Sequence, residues 1–126
     1  MNKDDLKKRL KKLAVRTGKL CMRLPPTIIN KVYTGQVIRS SSSSASNYRA
    51  ACRGKSKADF INKLRIVEEE LDETMFFYEM IAEFNPEHKV ELRELYKEAD
   101  ELLSIMIASI NTANKNKVAK NPKSPI

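Results

Sequence analysis

Five consecutive serines, Ser40 to Ser44, stand inside "VIRSSSSSASNYRAA", Val37 to Ala51. Whether they form a linker or the inside of a helix decides what the chain can fold into. Projected at the helical step of about 100° per residue, Val37, Ile38, Ser41, Ser44, Ala45, Tyr48 and Cys52 share one face, and the pattern passes through the serines in phase without a Gly or Pro. A linker would require the apolar periodicity to stop at Ser40 and restart elsewhere. The serines therefore read as part of a core stripe. Small side chains at Ser41, Ser44 and Ala45 let a neighbouring helix approach closely, and a buried hydroxyl is satisfied by the carbonyl one turn back.

The same projection divides the rest of the chain. Its three glycines and five prolines, two of the latter in the last five residues, are too few for the turn punctuation of a sandwich or barrel. Leu6, Leu10, Leu13, Thr17, Leu20, Cys21 and Leu24 form one face of a first helix that Pro25-Pro26 ends. Thr27 is positioned to cap the second helix and Ser56, with Asp59 three residues on, to cap the third. The third carries a stripe of Phe60, Leu64, Val67, Leu71, Met75, Tyr78 and Ala82, and Asn85-Pro86 closes it. A fourth carries a wide apolar stripe from Leu92 to Ile110. The expected fold is all-α: an up-down-up-down antiparallel four-helix bundle over residues 1–113, with helices at about 3–24, 28–53, 57–84 and 89–113. The lysine- and proline-rich remainder, 114–126, reads as a basic disordered tail.

The third helix has apolar residues left over. Ile66, Phe77, Met80 and Phe84, with Phe76 nearby, lie away from its core stripe. An apolar second face on a bundle helix is an interface or a liability, so these four are the candidate contacts of a homo-oligomer.

Charge is unevenly spread. Residues 1–23 carry +7 and 24–55 carry +5, whereas 56–101 carry −8 and four lysines follow, within a total of +8. Lys8, Lys12, Arg16, Lys19 and Arg23 gather within roughly 100° of arc on the first helix by the same projection, and Arg39, Arg49 and Arg53 lie off the core face of the second. Such stripes suit phosphates, and these eight residues are the candidate nucleic-acid contacts. Without interleaved aromatics, base stacking is not expected of them. The competing reading is a scaffold whose charge serves assembly and solubility.

Catalytic chemistry is not legible. His88 is the only histidine, so neither a multi-histidine metal site nor a pair of Glu-x-x-His motifs for a di-iron centre exists, and there is no Gly-rich phosphate loop. Glu68, Glu69, Glu70, Asp72 and Glu73 spread around the third helix instead of converging. Cys21 and Cys52 fall on apolar stripes as small core residues. No catalytic residue, metal or cofactor is expected. With no apolar run long enough to span a membrane and no secretory leader, the expectation is a soluble cytoplasmic protein.

The stretch "QVIRSSSSSASNYRAACRGKSKADFINKLRIVEEELDET", Gln36 to Thr74, resembles the four-helix-bundle proteins encoded in 23S rRNA intervening sequences, a likeness that extends over nearly all of residues 6–113. That family's stretch reads as Gln-Leu-Arg-Arg, small residues, Ser-Ile-Pro-Ser-Asn-Ile-Ala-Glu-Gly, a later Ser, and an acidic-Phe pair opening the third helix. Gln36, Arg39, Ser43, Ser46, Asn47, Ser56, Asp59 and Phe60 stand at those places, while Ala45 occupies the proline-or-alanine position and Arg49-Ala50-Ala51 replaces Ala-Glu-Gly. The resemblance implies a homopentameric ring. Relatives of the family include the accessory variability determinant of diversity-generating retroelements, which implies nucleic acid, RNA or DNA, and a reverse transcriptase as partners.

Overall fold

The computed structural model describes residues 1–120, with side chains described through Lys115. It is all-α, with no strand among the described residues: α1 (Lys3–Met22), α2 (Ile28–Cys52), α3 (Lys57–Phe84), a one-turn 3-10 helix (Pro86–His88) and α4 (Lys89–Lys120). The first three helices match the expected spans to within two residues. α4 continues seven residues past its expected end at 113; the expected disordered tail lies, from residue 121 on, outside the described residues.

Each start has a local cause. Asn2 and Asp5 form a reciprocal capping box at α1, with the Asn2 side chain accepting from the Asp5 amide at 2.8 Å. The Thr27 and Ser56 hydroxyls each accept, at 3.1 Å, the amide three residues on. Between α2 and α3 the turn is tight: a side chain at Gly54 would meet the Ala51 carbonyl at 3.0 Å and an Asp59 carboxylate oxygen at 2.9 Å.

Packing is cyclic. α1 lies against α2 and α4, and α3 lies against the same two. Leu10, Leu13, Leu20, Val37, Leu64, Val67, Leu71, Leu95, Leu102 and Met106 fill the centre. Partner numbers run in opposite senses across two seams: Arg9 and Arg16 of α1 and Arg23 at its end meet Glu98, Glu94 and Glu91 of α4, while Asn30 and Ser40 of α2 meet Asn85, just past α3, and Thr74 within it. Buried polar links hold this register. The Asn30 and Asn85 amides donate to each other's oxygens at 2.9 and 2.8 Å, and each also donates to a carbonyl, Pro25 and Ile81 respectively. They tie the α1–α2 connection to the end of α3. Across the middle, the Thr17 and Tyr78 hydroxyls lie 2.6 Å apart.

The serines are inside a helix. Ser40, Ser41 and Ser44 are fully buried; the Ser40 and Thr74 hydroxyls bond at 2.7 Å, and Ser44 donates to the Ser41 carbonyl. The helix is rotated slightly from the expected phase. Ser40 and Ala51 join the core face, Ala45 and Cys52 sit at its margin, and Ile38 is 42% exposed. The reason is the partner: a short hydroxyl at Ser40 admits Thr74 of α3, where Ile38 would not. On α3 the stripe likewise gains Ile61, Thr74 and Ile81, leaving Phe60 and Ala82 half-buried.

Candidate nucleic-acid interface

α1 presents its leucines inward, which leaves its cations on three outward lines. The tertiary structure treats these lines differently. On the line toward α4, the Arg9 guanidinium holds Glu98 through two short bonds of 2.9 and 2.7 Å and reaches Glu101 at 3.3 Å; Arg16 lies 3.7 Å from Glu94, and Arg23 lies 2.6 Å from Glu91. The Glu98 bond raises the Arg9 guanidinium above its ordinary value and holds the Glu98 carboxyl below its own, each against an opposing effect of burial. On α2, Arg39 bridges Glu73 at 2.6 Å and Glu70 at 3.3 Å, and the Glu73 bond raises its pKa.

Three of the eight expected nucleic-acid contacts, Arg16, Arg23 and Arg39, are therefore committed to acidic partners within the chain. The other five, Lys8, Lys12, Lys19, Arg49 and Arg53, make no ion pair among the described residues. The sequence held a signal for this division: Glu91, Glu94, Glu98 and Glu101 recur at three- and four-residue steps on α4, the spacing of a single helical line.

On the line toward α2, the structure assembles a cleft the sequence reading missed. Lys7, Lys8 and Lys11 of α1 and Arg49 of α2 rim a cavity of about 480 Å³ whose floor is Ala14, Val15 and Ala45 with the Ser42 and Ser46 side chains. Val15 is 46% exposed there. The cleft concentrates four cations from two helices around an apolar floor, an arrangement that attracts anionic groups.

The four expected oligomer contacts are gathered on the outer side of α3 next to α2. Phe84 is 51% and Ile66 38% exposed; Phe77 and Met80 are half-buried. Tyr33 of α2, which the sequence reading passed over, sits 5.9 Å from the Phe77 ring and 6.0 Å from Phe84. Phe76, 52% exposed, contacts Phe77 edge-on at 5.3 Å. The result is a continuous aromatic surface open to solvent.

Other chemistry is sparse among the described residues. No group of three or more His, Cys, Asp or Glu could hold a metal, and no helix is long and apolar enough to cross a membrane. Cys21 and Cys52 are free thiols, half-buried, and burial pushes the Cys21 thiol up to about 11, away from the thiolate form that a nucleophile requires.

A family model described as 23S rRNA-intervening sequence protein matches residues 3–108. The crystal structure of a protein of unknown function from the S23 ribosomal protein family of Bacteroides thetaiotaomicron is similar, with 27% identity and a TM-score of 0.77, covering 88% of this chain and 99% of that one. No curated protein matches the chain.

Proposed function

The chain belongs to the family of 23S rRNA-intervening sequence proteins, and from that membership we propose a non-enzymatic, ring-forming helical bundle that binds RNA or DNA through its unpaired basic side chains. The four helices are taken as an up-down-up-down antiparallel bundle, which the inverse running of the α1–α4 and α2–α3 partners supports. The ring is homo-oligomeric, pentameric by the family resemblance, with Ile66, Phe77, Met80 and Phe84 in its contacts. The same resemblance makes a reverse transcriptase a candidate partner.

The observation that carries the reading is selective neutralisation. The chain has sixteen acids, and its ion pairs consume the arginines that face α4 and α3, yet Lys8, Lys12, Lys19, Arg49 and Arg53 stay free of ion pairs among the described residues. Repeated on each subunit of a ring, such cations act together through high effective concentration. The reading of a scaffold without nucleic acid draws on the same ladder: Arg16, Arg23 and Arg39 serve the bundle itself.

Gel-shift titrations with structured RNA, duplex DNA and an RNA–DNA hybrid separate the two. At about 50 mM salt, where counterion release favours binding, a complex is expected with little sequence preference, and log K falls linearly with log salt. Lys12→Glu with Lys19→Glu and Arg53→Glu abolishes it without loss of helicity; Arg16 is left alone because its reversal would break the Glu94 pair. No complex with any of the three probes leaves the scaffold.

A further inference from the structure

We infer that the α1–α2 cleft receives the outer ridge of α3 from a second copy of this chain; the inference rests on the oligomer reading above and names the two surfaces that meet. Three observations lead to it.

The cleft side is built for close approach. Gly18 and Gly35 lie inside helices, and a Cβ added at either would meet nothing within 4 Å. Helix-interior glycine is unfavourable, and no contact within the chain requires it at these positions. By projection at about 100° per residue, Gly18 falls on the flank of α1 that carries Lys7, Lys11 and Ala14, and Gly35 on the flank of α2 that carries Ser42 and Arg49, the residues that line the cleft. Both glycines lie beyond the lining residues themselves, on the same flanks, and leave those flanks open to a helix from outside.

The ridge matches the cleft in chemistry. The cleft is basic at its rim, with exposed Val15 on its floor. The ridge of α3 presents Glu69, Phe76 and Met80 along its outward line, flanked by Ile66 and Phe84. An acid faces cations, and an aromatic faces an apolar floor.

The match also holds in height. The Thr17–Tyr78 bond places those two residues level, and in the antiparallel bundle α1 and α3 run in the same sense. Lys8 stands nine residues before Thr17 as Glu69 stands nine before Tyr78, and Val15 and Phe76 each stand two before. Copies set side by side therefore bring Lys8 to Glu69 and Val15 to Phe76 with no rise from one to the next. The ridge leans toward α2, so the two surfaces lie on neighbouring sides of the bundle. A heterologous contact that turns without rising closes into a ring instead of running on as a filament. Lys8 and Arg49 are then taken up by the subunit contact, and Lys12, Lys19 and Arg53, outside the cleft lining, stay available to phosphates.

Light scattering and sedimentation of the full chain test this. Wild type is expected to assemble at micromolar concentration, and Lys8→Glu or Glu69→Lys alone to raise the concentration for half-assembly at least about tenfold. The double variant Lys8→Glu/Glu69→Lys, which restores the opposite charge, regains assembly; a foreign partner or a nucleic acid in the cleft gives no such rescue. Gly18→Leu places a bulky side chain on the α1 flank that continues the cleft wall, and smaller particles with unchanged helicity are expected. Should wild type assemble while Gly18→Leu and Lys8→Glu assemble equally well, the cleft is not the contact and the oligomer reading survives without it. If Lys8→Glu instead costs RNA retention at unchanged particle mass, the cleft is a nucleic-acid site and the inference is overturned. A monomeric wild type ends both readings.

Discussion

Replacing Thr17 with Val should destabilise the protein more than replacing Tyr78 with Phe, and the two changes together should cost less than their sum. The Thr17 hydroxyl donates its single proton to the Leu13 carbonyl at 2.7 Å, so the Tyr78 hydroxyl, 2.6 Å away, is the donor between them. Thr17 is 0% and Tyr78 1% exposed, so water offers neither group a substitute. Thr17→Val keeps the shape but strands a buried phenolic donor, a loss of about 1–3 kcal/mol. Tyr78→Phe leaves Thr17 bonded to its own helix and costs about 0.5–1.5 kcal/mol. With both hydroxyls gone an apolar pair of nearly the same shape remains, and the coupling appears as a rescue of about 1 kcal/mol. A chain of 126 residues melts with an entropy of about 0.26 kcal/mol/K, so each kcal/mol moves Tm by about 4 °C. Thr17→Val should therefore melt about 4–12 °C below wild type. Thermal circular-dichroism melts must be compared at one protein concentration, because assembly makes Tm depend on it. Strictly additive losses, or a Thr17→Val variant that melts with wild type, would refute the pairing and with it the α1–α3 register on which the cleft match depends.

Two further outcomes follow from burial. Ser41 is fully buried, so Ser41→Leu overpacks the core at a cost of about 1–3 kcal/mol; a denaturant midpoint unchanged from wild type would mean that the residue can face solvent. Alkaline pH should weaken the fold. Burial raises the Cys21 thiol from 9.0 to about 11 and moves the Tyr48 and Tyr78 phenols upward too, so the folded state holds these protons more tightly than the unfolded one. The Cys21 contribution is fully present below about 9 and is lost as pH rises through about 11. Urea midpoints at pH 8, 9.5 and 11 should fall in that order, and a flat series is incompatible with neutral buried thiol and phenols.

The sequence by itself determined the number of helices, their starts and the helical state of the serines, because these are local matters. A cap reaches three residues, a Pro-Pro pair stops a helix where it stands, and a helical stripe can be read within one segment. It also exposed the surplus apolar face of α3, since Ile66 and Phe84 cannot share a side with Leu64 and Leu71 on any helix. What the tertiary structure alone decided is the rotation of α2, where Ser40 rather than Ile38 turns inward because Thr74 lies opposite, and which cations remain unpaired. Arg9 and Glu98 are 89 positions apart in the chain, and no property of the first helix indicates that its arginine line would be neutralised by α4 while Lys8, Lys12 and Lys19 were left without an ion pair. The eight candidate cations look alike until a second helix is laid beside them; charge is a property of a residue, but neutralisation is a property of a distance, and distances between segments are made only when the chain is packed.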